Sequence, residues 1–158
     1  MNEIAENPSV DQSEDDSRAF MHKQCDLVEE YLATTTEPEY STAHFFTPGL
    51  YIRRFIMEPG VYTSKEHKSE HPFAVMWGRC SVKDTIGGAW EEIQGPFLGI
   101  TKPGTRRIIR CHEQACWVTF HPTTETDLVK IEAQLIEPRE RTLKLSENRR
   151  SAHQNELR

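Results

Sequence analysis

The sequence predicts an all-β fold: one antiparallel sandwich or barrel with a helix before it and a helix after it. Between residues 50 and 121, short apolar or alternating runs recur at close spacing, separated by the turn pairs Pro59-Gly60, Gly87-Gly88 and Pro103-Gly104. Helical periodicity is confined to the stretches on either side of that region. A length of 158 residues suits a single domain with its own core. The apolar share of 36% is below the usual ~45–50%, a deficit that polar ends would explain.

Residues 1–16 are rich in Asp, Glu, Ser and Asn and read as a disordered acidic tail. Residues 17–33 read as an amphipathic helix capped by Ser17, with Phe20, Met21, Cys25, Val28, Tyr31 and Leu32 at helical spacing. The polar run TTTEPEYST makes the following stretch a linker, so that residues 17–47 are helix and linker. From Leu50 the period changes to two: Tyr51, Arg53, Phe55 and Met57 alternate with Ile52, Arg54 and Ile56. Strands are expected over residues 73–77, 80–83, 96–101, 108–111 and 116–120. The last two flank the polar turn His112-Glu113-Gln114-Ala115 and read as a hairpin, which places the β domain at residues 48–122. Within residues 123–158, DLVKIEAQLI reads as a helix with Leu128, Ile131 and Leu135 inward, followed by a charged, polar tail.

Charge is unevenly distributed. Residues 1–40 hold 11 acidic and 2 basic side chains, whereas residues 41–125 hold 8 and 10. No segment forms the concentrated basic face that phosphate neutralisation requires, so nucleic acid is not expected as a partner. No apolar run is long enough for a transmembrane helix, and the N-terminus lacks a signal-peptide core, so the expected setting is cytoplasmic, with no membrane. Reduced thiols follow from that setting. Cys111 and Cys116 would face each other across the turn, while Cys25 and Cys80 are expected as small buried apolar residues. Trp77 and Trp117 are expected in the core, and Trp90 at an interface.

The most informative stretch is EPGVYTSKEHKSEHPFAVMWG, Glu58 to Gly78, followed by GITKPGTRR, Gly99 to Arg107. Together they resemble the cupin superfamily, small double-stranded β-helix barrels of jelly-roll type. Gly60 and Gly78 fall near the glycines of that family's first motif. Lys65 falls on the first histidine, His67 on the second and His71 on the glutamate. Pro103-Gly104 fits the second motif loosely, with Arg107 near its histidine. The resemblance implies a single jelly-roll barrel with the two helices outside. Its departures fall on the metal ligands. TKPGTRR, CWVTFHPT and DLVKIEAQLI also resemble small cupin-like proteins of tailed phages and prophages, which implies a virion or assembly component and phage structural proteins as partners.

The residues themselves leave three functions open. A catalytic metal needs about three converging ligands and an open position. His67, His71 and His121 could supply them to one divalent transition metal; His121 shares a strand face with Trp117 and Thr119. A protonated lysine cannot ligate, so Lys65 pointing inward would oppose the metal. The same cations suggest a metal-free alternative, a pocket for a small anion with Lys65, Arg107, Trp117 and Thr119 as its ligand-binding residues. Against this, Arg106 and Arg107 alternate along a strand, one solvated and one paired with Glu70 or Glu113. His67-Lys68-Ser69-Glu70-His71 spells H-x-x-E-H, but that protease signature needs a helix, which Pro59-Gly60 and Pro72 oppose. The degenerate ligand set makes a non-catalytic binding or structural module the leading expectation. A metal-dependent oxygenase or isomerase, or an anion sensor, is the alternative. Open sheet edges favour a homo-oligomer.

Overall fold

The computed structural model describes residues 9–36, 38–84 and 88–139, with side chains from residue 13 onward. Helix α1 (Ser9–Thr34) precedes nine strands: β1 (Tyr40–Thr47), β2 (Leu50–Met57), β3 (Gly60–Thr63), β4 (His71–Trp77), β5 (Arg79–Asp84), β6 (Glu91–Gln94), β7 (Phe97–Thr101), β8 (Arg107–Cys111) and β9 (Ala115–Pro122). Helix α2 (Leu128–Leu135) follows. The strands form two antiparallel sheets, ordered β1-β2-β9-β4-β7 and β3-β8-β5-β6. Only the β1–β2 and β5–β6 connections stay within one sheet; every other connection between successive strands crosses to the opposite sheet. This alternation is the path of a jelly-roll barrel.

The barrel has an apolar end and a polar end. Period-two alternation sends Met57, Phe73, Val75, Ala115 and Trp117 inward from the large sheet. They meet Cys80, Val82, Ile93, Ile109 and Cys111 from the small one. The Phe73 and Trp117 rings stack at 4.7 Å. Gly99 lies over Phe73, where a Cβ would fall 2.6 Å from the ring, so the close approach of β7 to β4 requires glycine. Further along the same inward faces the residues turn polar: Tyr51 and Arg53 on β2, His71 on β4, Thr119 and His121 on β9.

Several expectations are revised. Residues 9–16 continue α1 instead of forming a tail; residues 1–8 and 140–158 lie outside the described residues. Extending an existing helix through polar residues needs no new nucleus. Met21 and Cys25 face the barrel, while Phe20 and Tyr31 are exposed. Part of the supposed linker is strand β1, and β3 and β6 were not anticipated. The expected hairpin is a crossover, because β8 pairs with β3 and β5, and β9 with β2 and β4. Cys111 therefore faces Cys80, with sulfurs 3.4 Å apart, and not Cys116; all four thiols are free and buried. Trp77 is exposed because the β4–β9 register shifts between Val75 and Trp77. Trp90 is also exposed.

Helix α2 is short but well anchored. The Asp127 side chain caps it, accepting from the backbone N–H of Val129 and Lys130, and Ile131 is its buried contact; Leu128 is exposed and Leu135 half-buried. The chain then runs along the β3–β4 loop. Lys68 N–H donates to Leu135 O, Glu137 N–H donates to Glu66 O, and Ile136 bridges to His67.

Candidate metal centre

The three histidines come together at the polar end. The β4–β9 register pairs Phe73 with Thr119, so two residues further on His71 comes beside His121. Their ring centroids are 4.5 Å apart. His67 enters from the β3–β4 loop, held there by the α2 segment and by Gly104, whose N–H donates to His67 O. Its ring lies 4.4 Å from His71 and 5.5 Å from His121. All three are buried, and one ring nitrogen from each lies within 4.8 Å of the others. Nitrogens sharing a zinc-sized ion stand roughly 3–3.5 Å apart, so small ring rotations bring the set to ligating distance.

Two carbonyl hydrogen bonds favour ligation, while Arg53 Nη2, 3.4 Å away, competes for the His67 Nε2 lone pair. His67 Nδ1 lies 3.2 Å from Lys65 O, and His71 Nδ1 lies 3.2 Å from Ser69 O. A proton on each Nδ1 satisfies these carbonyls and leaves Nε2 with its lone pair. His121 Nε2 is 2.9 Å from Thr119 Oγ1, which leaves its Nδ1 available. Burial, reinforced by neighbouring His71, Arg53 and His121, lowers the His67 pKa to about 2. Burial together with His71 and Arg53 lowers His121 to about 3. His71 is lowered as well, chiefly by burial. The trio is neutral at neutral pH, which is the ligating form. The donor set therefore fits a divalent transition metal of nitrogen-binding character.

A half-open cavity of about 470 Å³ borders this centre at His67; Arg53, Phe55, Lys65, Trp117 and Thr119 are also among its walls. Its α1 side is closed by Glu29 and Leu32. Arg53 donates toward His67 Nε2 at 3.4 Å and lies 4.8 Å over the Phe55 ring. Its Nε is buried with no hydrogen-bond partner.

Of the expected ligand-binding residues, Trp117 and Thr119 line the cavity. Lys65 stands at its rim, half-exposed and paired with Glu132, so it does not point into the metal position. Arg107 lies behind the wall, donating to Thr101 Oγ1 at 3.0 Å and stacking 4.9 Å from the Phe73 centroid. Arg106 and Arg107 do face opposite ways, but neither is solvated and neither pairs with Glu70 or Glu113: Arg106 pairs with Asp26 and Glu29. Arg53 and Glu29 are the residues that sequence reasoning missed. The signal for Arg53 was present, since it shares a strand face with Tyr51, Phe55 and Met57.

No protein-family model and no curated protein matches the chain. Solved structures do. The barrel is similar to salicylate 1,2-dioxygenase from Pseudoaminobacter salicylatoxidans, with a TM-score of 0.50 and 10% identity, covering 75% of this chain and 36% of that one. It is also similar to a cupin superfamily protein from Desulfitobacterium hafniense, with a TM-score of 0.46 and 8% identity, covering 58% and 86%. The EutQ protein of Clostridium difficile has a TM-score of 0.48 and 13% identity, covering 60% and 75%. No helix among the described residues is long and apolar enough to cross a membrane. Strand order, the repeated crossing between sheets and the likeness to the dioxygenase barrel together show that the chain folds as a jelly-roll barrel with two flanking helices.

Proposed function

We propose that this chain is a metal-dependent cupin enzyme, holding one divalent transition metal on His67, His71 and His121 and a small molecule in the adjoining cavity. The observation that carries this reading is the convergence of three buried, neutral imidazoles beside a cavity that His67 borders. A structural module gains nothing from desolvating three imidazoles together; a metal site requires it. When bound, the metal supplies Lewis-acid activation of a ligand oxygen at an open coordination position. The remaining work falls to the chain. Lys65 O and Ser69 O orient two of the rings, Thr119 orients the third, and Phe55 and Trp117 give the cavity apolar walls that exclude water.

The test uses protein purified without a histidine tag, stripped with chelator and titrated with Fe(II), Mn(II), Ni(II) and Zn(II). At least one of these is expected to bind at one ion per chain, with His67→Ala and His121→Ala weakening it by about 100-fold or more. Absence of stoichiometric binding, or unchanged affinity in both variants, overturns the reading.

A further inference from the structure

Among the described residues, the polar end of the barrel gathers more cations than acids: Glu29 lies in the cavity wall and Glu132 at its rim, and neither touches Arg53. Arg53 has no carboxylate within 4 Å, its Nε is unpartnered, and its Nη2 reaches only a histidine lone pair. Burial holds its pKa below the ordinary arginine value, yet a guanidinium stays charged across the whole working range. Glu132 offsets this burial only from a distance, and a buried cation with no carboxylate in contact is costly unless something brings the counter-charge. We propose that Arg53 anchors the carboxylate of the small molecule that enters this cavity.

The chemistry narrows the ligand. A single guanidinium offers one planar fork, which matches one carboxylate. A phosphate dianion would call for a second free cation. Lys65 is already neutralised by Glu132, and Arg107 is turned toward Thr101 behind Phe73. The aromatic walls Phe55 and Trp117 suit an apolar or unsaturated body behind the carboxylate. Arg53 also occupies the lone pair that His67 would give to a metal. A carboxylate that draws the guanidinium away from His67 Nε2 therefore frees that nitrogen, so the two sites support each other. This inference deepens the metal reading, but the carboxylate subsite stands on Arg53 alone.

Calorimetry with benzoate, and with neutral benzamide as control, tests it on full-length protein, both stripped of metal and loaded with Zn(II). Benzoate is expected to bind and benzamide not to. Arg53→Gln should weaken benzoate at least 10-fold, with Arg53→Lys intermediate, while zinc still binds at one ion per chain and at least as tightly as in wild type, because His67 Nε2 is freed. Zinc binding without benzoate binding, or benzoate binding unaffected by Arg53→Gln, overturns the subsite while leaving the metal centre standing. Benzoate binding that follows Arg53 in protein unable to hold zinc supports the subsite and overturns the metal centre. Melting curves of both variants identify any loss of fold.

Discussion

Two neighbouring arginines lead into opposite electrostatic regions. Arg106 points outward beneath α1, fully buried, with Nη1 2.7 Å from Asp26 Oδ1 and Nη2 2.7 Å from Glu29 Oε1. Arg139 adds contacts to Asp26 and Glu66 in the same cluster. Arg107 points inward, into an end of the barrel that also holds Arg53 and three histidines. The first region gathers cations and carboxylates in comparable number. The second gathers cations and neutral bases, with acids only around them: Glu29 in the cavity wall and Glu132 at the rim. The acid-rich cluster closes on itself and works as a clamp between helix and barrel. The acid-poor end is incomplete as it stands, and its missing charge is what a ligand would bring.

Removing an arginine from each region should expose the difference most strongly. Arg106→Met leaves Asp26 and Glu29 partly uncompensated under α1, and losing one partner of a buried ion network costs about 3–5 kcal/mol. Arg53→Met removes a buried cation that has no acid, so its stability without ligand should stay within about 1 kcal/mol of wild type or rise. Urea denaturation of the two variants measures both values. Equal losses would mean that the two regions are not different in kind.

Acid should separate the regions next, in chelated protein. The histidines take up protons near 6.5 when unfolded but only near 2 to 3 when folded, for His67 and His121. Below pH 6.5 the unfolded chain therefore binds more protons, and stability falls by up to about 1.4 kcal/mol per pH unit for each such histidine. Above pH 6.5 their contribution is fully present. The clamp behaves otherwise. Burial alone would raise the Asp26 pKa, but hydrogen bonds and charge from Arg106 and Arg139 outweigh it and hold the carboxyl below its ordinary 3.8. Its contribution persists through mild acid and is lost only as the pH falls below that value. Melting temperatures in chelator should drop between pH 6.5 and 4.5, and Zn(II) should reduce the drop at the upper end of that range. A flat profile there would mean that the histidines are solvated rather than buried at the end of the barrel.

How much of this was legible depends on what each residue answers to. Strands β2, β4 and β9 are the inner strands of the large sheet, and their alternation is visible in the sequence because one face of each lines the barrel interior. The strands that were missed, β1, β3 and β6, are all sheet edges. β1 is exposed at seven of its eight positions, so no period-two apolar pattern is imposed on it. The histidines were legible because residue type and strand parity suffice to place His71 and His121. What parity cannot supply is the partner across space: that α2 would pin His67, that Arg53 would meet it, or that Glu29 of a distant helix would close the cavity.

Lys65 marks the limit of reasoning from motif position and gives the smallest expected effect. It falls where the cupin pattern places a ligand, yet the chain leaves β3 at Thr63 and enters a loop before reaching it. Strand parity ends there, and the side chain turns to the rim, where it meets Glu132 of α2 with both groups about half exposed. Exposed pairs of this kind contribute about 0–1 kcal/mol and weaken with salt. Lys65→Met should therefore change stability by less than about 1 kcal/mol and leave zinc affinity unchanged. A large rise in metal affinity for this variant would mean that the ammonium reaches the centre after all, and that the rim and the metal position are one site.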